Sequence, residues 1–69
     1  MNIQNYRNAL SYILLKNEKR SEIMALFEQW MEIESDNAKI AASEALYSFG
    51  LEYLIPNLDE YVKTLVKKW

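Results

Sequence analysis

Apolar residues recur along this chain at spacings of three and four, the repeat of an amphipathic helix, and nowhere alternate as a strand would require. A single glycine, Gly50, and a single proline, Pro56, leave little to interrupt long helices. The first helix is predicted from about Ile3 to Lys16, with Ile3, Tyr6, Leu10, Ile13 and Leu14 on one face and Tyr12 roughly opposite. The second runs from Lys19 or Glu22 to Glu34, with a broad face of Ile23, Leu26, Phe27, Trp30 and Ile33 flanked by Met24 and Met31. The third, about Asn37 to Phe49, carries a small-residue surface of Ala38, Ala41, Ala42 and Ala45, completed by Leu46 and Phe49. Ile40 and Tyr47 lie on its other side. The fourth lines up Leu58, Tyr61, Val62, Leu65, Val66 and Trp69, with Asp59, Lys63 and Lys67 spaced i, i+4 on another face. The expected fold class is all-α: four helices in two antiparallel hairpins, one domain over residues 1–69.

Punctuation supports these boundaries. Asp36 can cap the third helix by accepting a backbone N–H. Gly50 stands where a left-handed residue would end it. Pro56 biases Ile55 away from helix, and Asn57 with Glu60 reads as an N-cap with a capping-box acid. The segment Gly50–Tyr61 is therefore predicted as a corner, although loops carry function often enough to keep a site open as the alternative.

Between Asp36 and Leu65 the spacing is more specific. Asp36, Lys39, Ala41-Ala42, Ala45-Leu46, Gly50, Ile55-Pro56 and Leu58 resemble a HEAT-like repeat of the α-solenoid families. In that pattern a capping Asp, a basic residue, small pairs, Gly and Ile-Pro-x-Leu follow in this order. The resemblance covers about 30 residues, under half of the chain. The family more often has Arg where Lys39 stands, and Leu51 to Leu54 is more apolar than its usual turn. It implies a helical hairpin that buries its core against neighbours, of which solenoids normally need about three. Two units would leave an apolar flank to be closed by a second copy, by a partner or by the first helix.

Composition narrows the chemistry. A chain of this length buries only about 60–65% of its unfolded surface. With 51% hydrophobic and 13% aromatic residues it relies on dense packing or oligomerisation. Absent cysteine excludes disulfides and thiolate metal sites, and absent histidine removes the commonest metal ligand and general base. One glycine cannot build a phosphate loop. The serines, Ser11, Ser21, Ser35, Ser43 and Ser48, have no nucleophile context. The carboxylate pairs Glu28/Glu32 and Glu32/Asp36 fall on an open helix face, where water screens them. No catalytic residue, metal site or cofactor is expected. No run approaches a transmembrane span and the first ten residues do not read as a signal peptide, so a cytoplasmic location is expected.

Charge is segregated. Residues 1–20 hold Arg7, Lys16, Lys19 and Arg20 against Glu18 alone, whereas residues 21–36 hold Glu22, Glu28, Glu32, Glu34 and Asp36 and no basic residue. Like charges at i, i+4 repel, and no lysine inside the second helix relieves them. The stripe Glu28, Glu32 and Asp36 reads either as a solvated face or as a contact for a basic partner. Tyr12, Ile40 and Tyr47, off the main apolar faces, read as scattered exposed residues or as an association surface. Trp69 is expected to dock in this chain or a second one. The predicted function is non-enzymatic protein binding by a small adaptor or inhibitor, linked to homodimerisation through Ile40, Tyr47 or Trp69. The alternative is a DNA-associated regulator. Against it stand a net charge of −2, a third helix with Lys39 offset by Glu44, and a basic patch split between a helix and a turn.

Overall fold

A computed structural model describes residues 3–67. The chain forms α1 (Ile3–Ile13), α2 (Arg20–Ile33), α3 (Ala38–Ser48), a 3-10 turn (Glu52–Leu54) and α4 (Ile55–Lys67), with no strand among the described residues. The all-α class and the four helices are as expected. Arg7 bridges to Glu28 and Arg20 to Ser11, so as α1 advances α2 recedes: the two run antiparallel. Lys39 and Asp59 tie α3 to α4.

The densest seam joins α2 to α3, and its cause is side-chain size. Ala38, Ala41, Ala42 and Ala45 are all fully buried, which lets α3 approach Ile23, Phe27 and Met31 of α2 closely. Phe27 is the largest side chain completely withdrawn from water, and Leu10, Leu14, Leu46 and Leu58 complete the centre. Two residues of α2 exchange roles relative to expectation. Met31 is buried, whereas Ile33, placed on the apolar face by periodicity, is 64% exposed. The buried stripe of α2 is centred on Ile23, Phe27 and Met31, and Ile33 in the last turn falls beyond its edge.

Helix α1 contacts α2, α3 and α4. Burial on α1 extends past Tyr6, Leu10 and Leu14 to Ala9 and Asn5. Asn5 is 1% exposed, and its amide oxygen has no hydrogen-bond partner among the described residues. Ile3, expected on the apolar face, is 37% exposed, whereas Tyr6 is buried.

Three boundaries move. α1 ends at Ile13, and its chain turns through residues 14–16 while Leu14 stays buried. The cap of α3 is Asn37, whose side chain accepts the Ile40 N–H at 3.2 Å; Asp36, expected in that role, is exposed in the preceding turn. α4 begins at Ile55, two residues before the expected cap Asn57. Ile55 takes a helical conformation (φ −60°, ψ −45°) despite Pro56. Proline in a first helical turn lacks only an N–H that would have no partner there, and the preceding 3-10 turn delivers Ile55 already coiled.

The corner itself is as expected. Gly50 has φ 69°. The Leu51 N–H donates to the Leu46 carbonyl at 2.9 Å and the Gly50 N–H to the Tyr47 carbonyl at 3.1 Å. This pair of bonds is the Schellman closure, which satisfies carbonyls that the helix end would leave open.

Candidate functional site

The predicted contact residues fall into two regions. On α2, the loop after it and α3 lie Glu28, Glu32, Asp36, Ile40 and Tyr47. Glu28 is not free. One Nη atom of Arg7 reaches both of its carboxylate oxygens, at 2.8 and 3.0 Å. The cation that residues 21–36 lack is supplied at Glu28 by α1, which removes the repulsion there. Glu32 and Asp36 are exposed and make no ion pair among the described residues. Ile40 and Tyr47 are 41% and 58% exposed, on the side of α3 away from its alanine seam. Ile33, which periodicity had placed in the core, adds an exposed apolar side chain beside Glu32.

The second region is an open groove between α1 and α4 of about 400 Å³, lined by Asn8, Ala9, Tyr12, Tyr61 and Leu65. Tyr12 lies off the main face of α1, as its helical angle required, but it is not isolated. Its ring meets that of Tyr61 with centroids 4.7 Å apart and planes tilted by 43°, within the range of favourable aromatic pairs. The Tyr12 hydroxyl beside it, followed by desolvation, raises the Tyr61 pKa above its ordinary value. Tyr12 nonetheless remains 59% exposed. Trp69, the remaining predicted contact, lies outside the described residues.

Lys19 and Glu22 pair at 3.6 Å. Lys39 binds Asp59 at 3.1 Å. That hydrogen bond, more than charge attraction alone, raises the Lys39 pKa. Asp59 therefore serves α3 and not the i, i+4 row with Lys63 that its spacing suggested. Tyr6 lies close enough to this pair to feel both charges. Its hydroxyl is held above the ordinary phenol value first by burial and then by Asp59, with Lys39 opposing. Among the described residues no three carboxylates converge as a metal site would need, and no helix is long and apolar enough to cross a membrane.

Arg7, Tyr61 and Ile33 are the residues that reading along single helices missed. Arg7 had a signal, since it is the only cation within the first helix before Lys16 and faces a chain segment with acids alone. The pairing of Tyr12 with Tyr61 had none, because it depends on how α1 lies across α4.

Compared with known proteins, the chain matches no family model, no curated protein and no solved structure.

Proposed function

We propose that the chain is a non-enzymatic protein-binding module, a small cytoplasmic adaptor or inhibitor that engages a basic surface on a larger protein. The contact surface comprises Glu32 and Asp36 with the apolar side chains Ile33, Ile40 and Tyr47. Glu28 contributes less, since Arg7 already occupies its carboxylate. The observation that carries this reading is the exposure of Ile33 on α2 and of Ile40 and Tyr47 on α3, together with Glu32 on α2 and Asp36 in the loop between them, neither of which has an ion-pair partner among the described residues. Aromatic and aliphatic anchors bordered by charge are the composition of a binding patch, in which the apolar centre supplies affinity and the charged rim supplies steering.

The reading includes a HEAT-like character for residues 36–65 and homodimerisation through Ile40 and Tyr47. Support for the first is local: the glycine corner, the small-residue seam and a basic residue near the start of α3 that bridges to α4. The test compares wild type with E32K/D36K and with Y47D in binding to the partners recovered from the source cell. The expected result is a basic partner retained by wild type, weakened by added salt and lost from both variants. Equal retention by all three proteins would remove the proposal, and salt-dependent retention on DNA would replace it with the regulator reading. Light scattering after size exclusion tests the dimer, and a monomer at high micromolar concentration would refute it.

A further inference from the structure

We propose that Tyr12 and Tyr61 form an oxidative cross-linking site, at which a one-electron oxidant of the peroxidase and hydrogen peroxide class joins α1 to α4 through a dityrosine bond. The inference rests on geometry and is independent of the protein-binding reading. The two rings meet at 4.7 Å between centroids, tilted by 43°. Both line an open groove, so a small oxidant or an electron-accepting enzyme edge can reach them. Tyr12 is more than half exposed.

The chemistry closes. Each phenol loses one electron and its hydroxyl proton, giving two phenoxyl radicals. These couple through ring carbons ortho to oxygen, forming one carbon–carbon bond. The two hydrogens on those carbons then shift to restore the phenols. The net change is loss of two hydrogens from the protein and reduction of one hydrogen peroxide to two waters. Phenoxyl radicals normally find one another by diffusion, whereas here the fold holds the two rings in contact before oxidation begins. Tyr47 and Tyr53, also exposed, share no ring contact with another tyrosine and can couple only between molecules.

The experiment treats the purified full chain, at low micromolar concentration, with a plant peroxidase and hydrogen peroxide. Dityrosine emission is recorded, the monomer is isolated and its tryptic peptides are mapped by mass spectrometry. The expected product is a monomer lighter by two hydrogens, with the peptide of residues 8–16 joined to that of residues 40–63 through Tyr61. Y12F and Y61F should each lose this product while keeping the helical circular dichroism of wild type, and Y53F should keep it. In denaturant the intramolecular product should fall by about tenfold or more, because the fold no longer supplies the effective concentration. A wild-type monomer without the mass loss, a cross-link routed through Tyr47 or Tyr53, or equal yield in denaturant would each overturn the assignment. Should Y61F lose its helical signal, the fragment spectrum of the wild-type cross-link decides by itself which ring of residues 40–63 is joined.

Discussion

Arg7 of α1 places one guanidinium nitrogen between the two carboxylate oxygens of Glu28 on α2, at 2.8 and 3.0 Å. The contact joins a predominantly basic segment to an acidic one across the first hairpin. Its energy is modest, since the two side chains keep 40% and 50% of their surface in water. A double-mutant cycle with Arg7→Ala and Glu28→Ala should give a coupling of about 0.2–1 kcal/mol, falling as salt is added. Urea denaturation at low and high ionic strength measures both quantities.

Asn37 and Asp36 make a sharper pair of substitutions. Only Asn37 accepts an N–H of α3. Asn37→Ala should cost about 0.5–2 kcal/mol, the usual loss for an N-cap. Asp36→Ala should change stability by less than about 0.5 kcal/mol, as an exposed surface substitution does. Equal losses at the two positions would show that the cap is shared.

Gly50 tests the other end of the same helix. Its φ of 69° suits glycine, and a Cβ placed there would meet no atom within 4 Å. The cost of replacing it is thus purely conformational. Gly50→Ala should destabilise by about 1–2 kcal/mol, and Gly50→Asn by less, since asparagine tolerates the left-handed region better. The order Gly, Asn, Ala in urea midpoints is the outcome to check.

Ala45 probes the seam between α2 and α3. It is completely buried on the alanine face of α3. Ala45→Leu should overpack the seam and cost about 1–3 kcal/mol. A domain of this length is expected to have only about 3–10 kcal/mol in total. A loss at the upper end would therefore broaden or abolish the cooperative urea transition, which tryptophan fluorescence would report.

How these positions were legible differs by the range of the interaction involved. The alanine surface of α3 and the Gly50 corner were readable because both are properties of one helix and its end. The cap was off by one residue because Asp36 and Asn37 have equally suitable side chains, and only backbone direction chooses between them. Ile33 and Met31 exchanged places because a helical angle gives the centre of a stripe only when the neighbour's position is known. The same limit applied to the site. The exposure of Tyr12, Ile40 and Tyr47 followed from their angles, whereas the Arg7–Glu28 bridge and the Tyr12–Tyr61 contact required the packing of α1 against two other helices.

Alkaline pH offers a test of the junction where α1, α3 and α4 meet. The Tyr6 hydroxyl, raised mainly by burial, has an ordinary value of 10.0, and Lys39, raised mainly by its hydrogen bond to Asp59, an ordinary value of 10.5. In both, the folded protein holds its proton more tightly than the unfolded chain. The associated stability is therefore fully present below those ordinary values. It is lost as pH rises from them through the higher folded values, because the unfolded chain releases its proton first. Stability should consequently be flat on the acid side of pH 10 as far as these groups are concerned and decline above it. Tyr6→Phe should remove one part of the decline. Asp59→Asn should remove the other, along with the electrostatic share at Tyr6. Urea midpoints of the three proteins between neutral pH and the alkaline limb measure this, and parallel curves for wild type and Tyr6→Phe would show that the phenol titrates as it does in the unfolded chain.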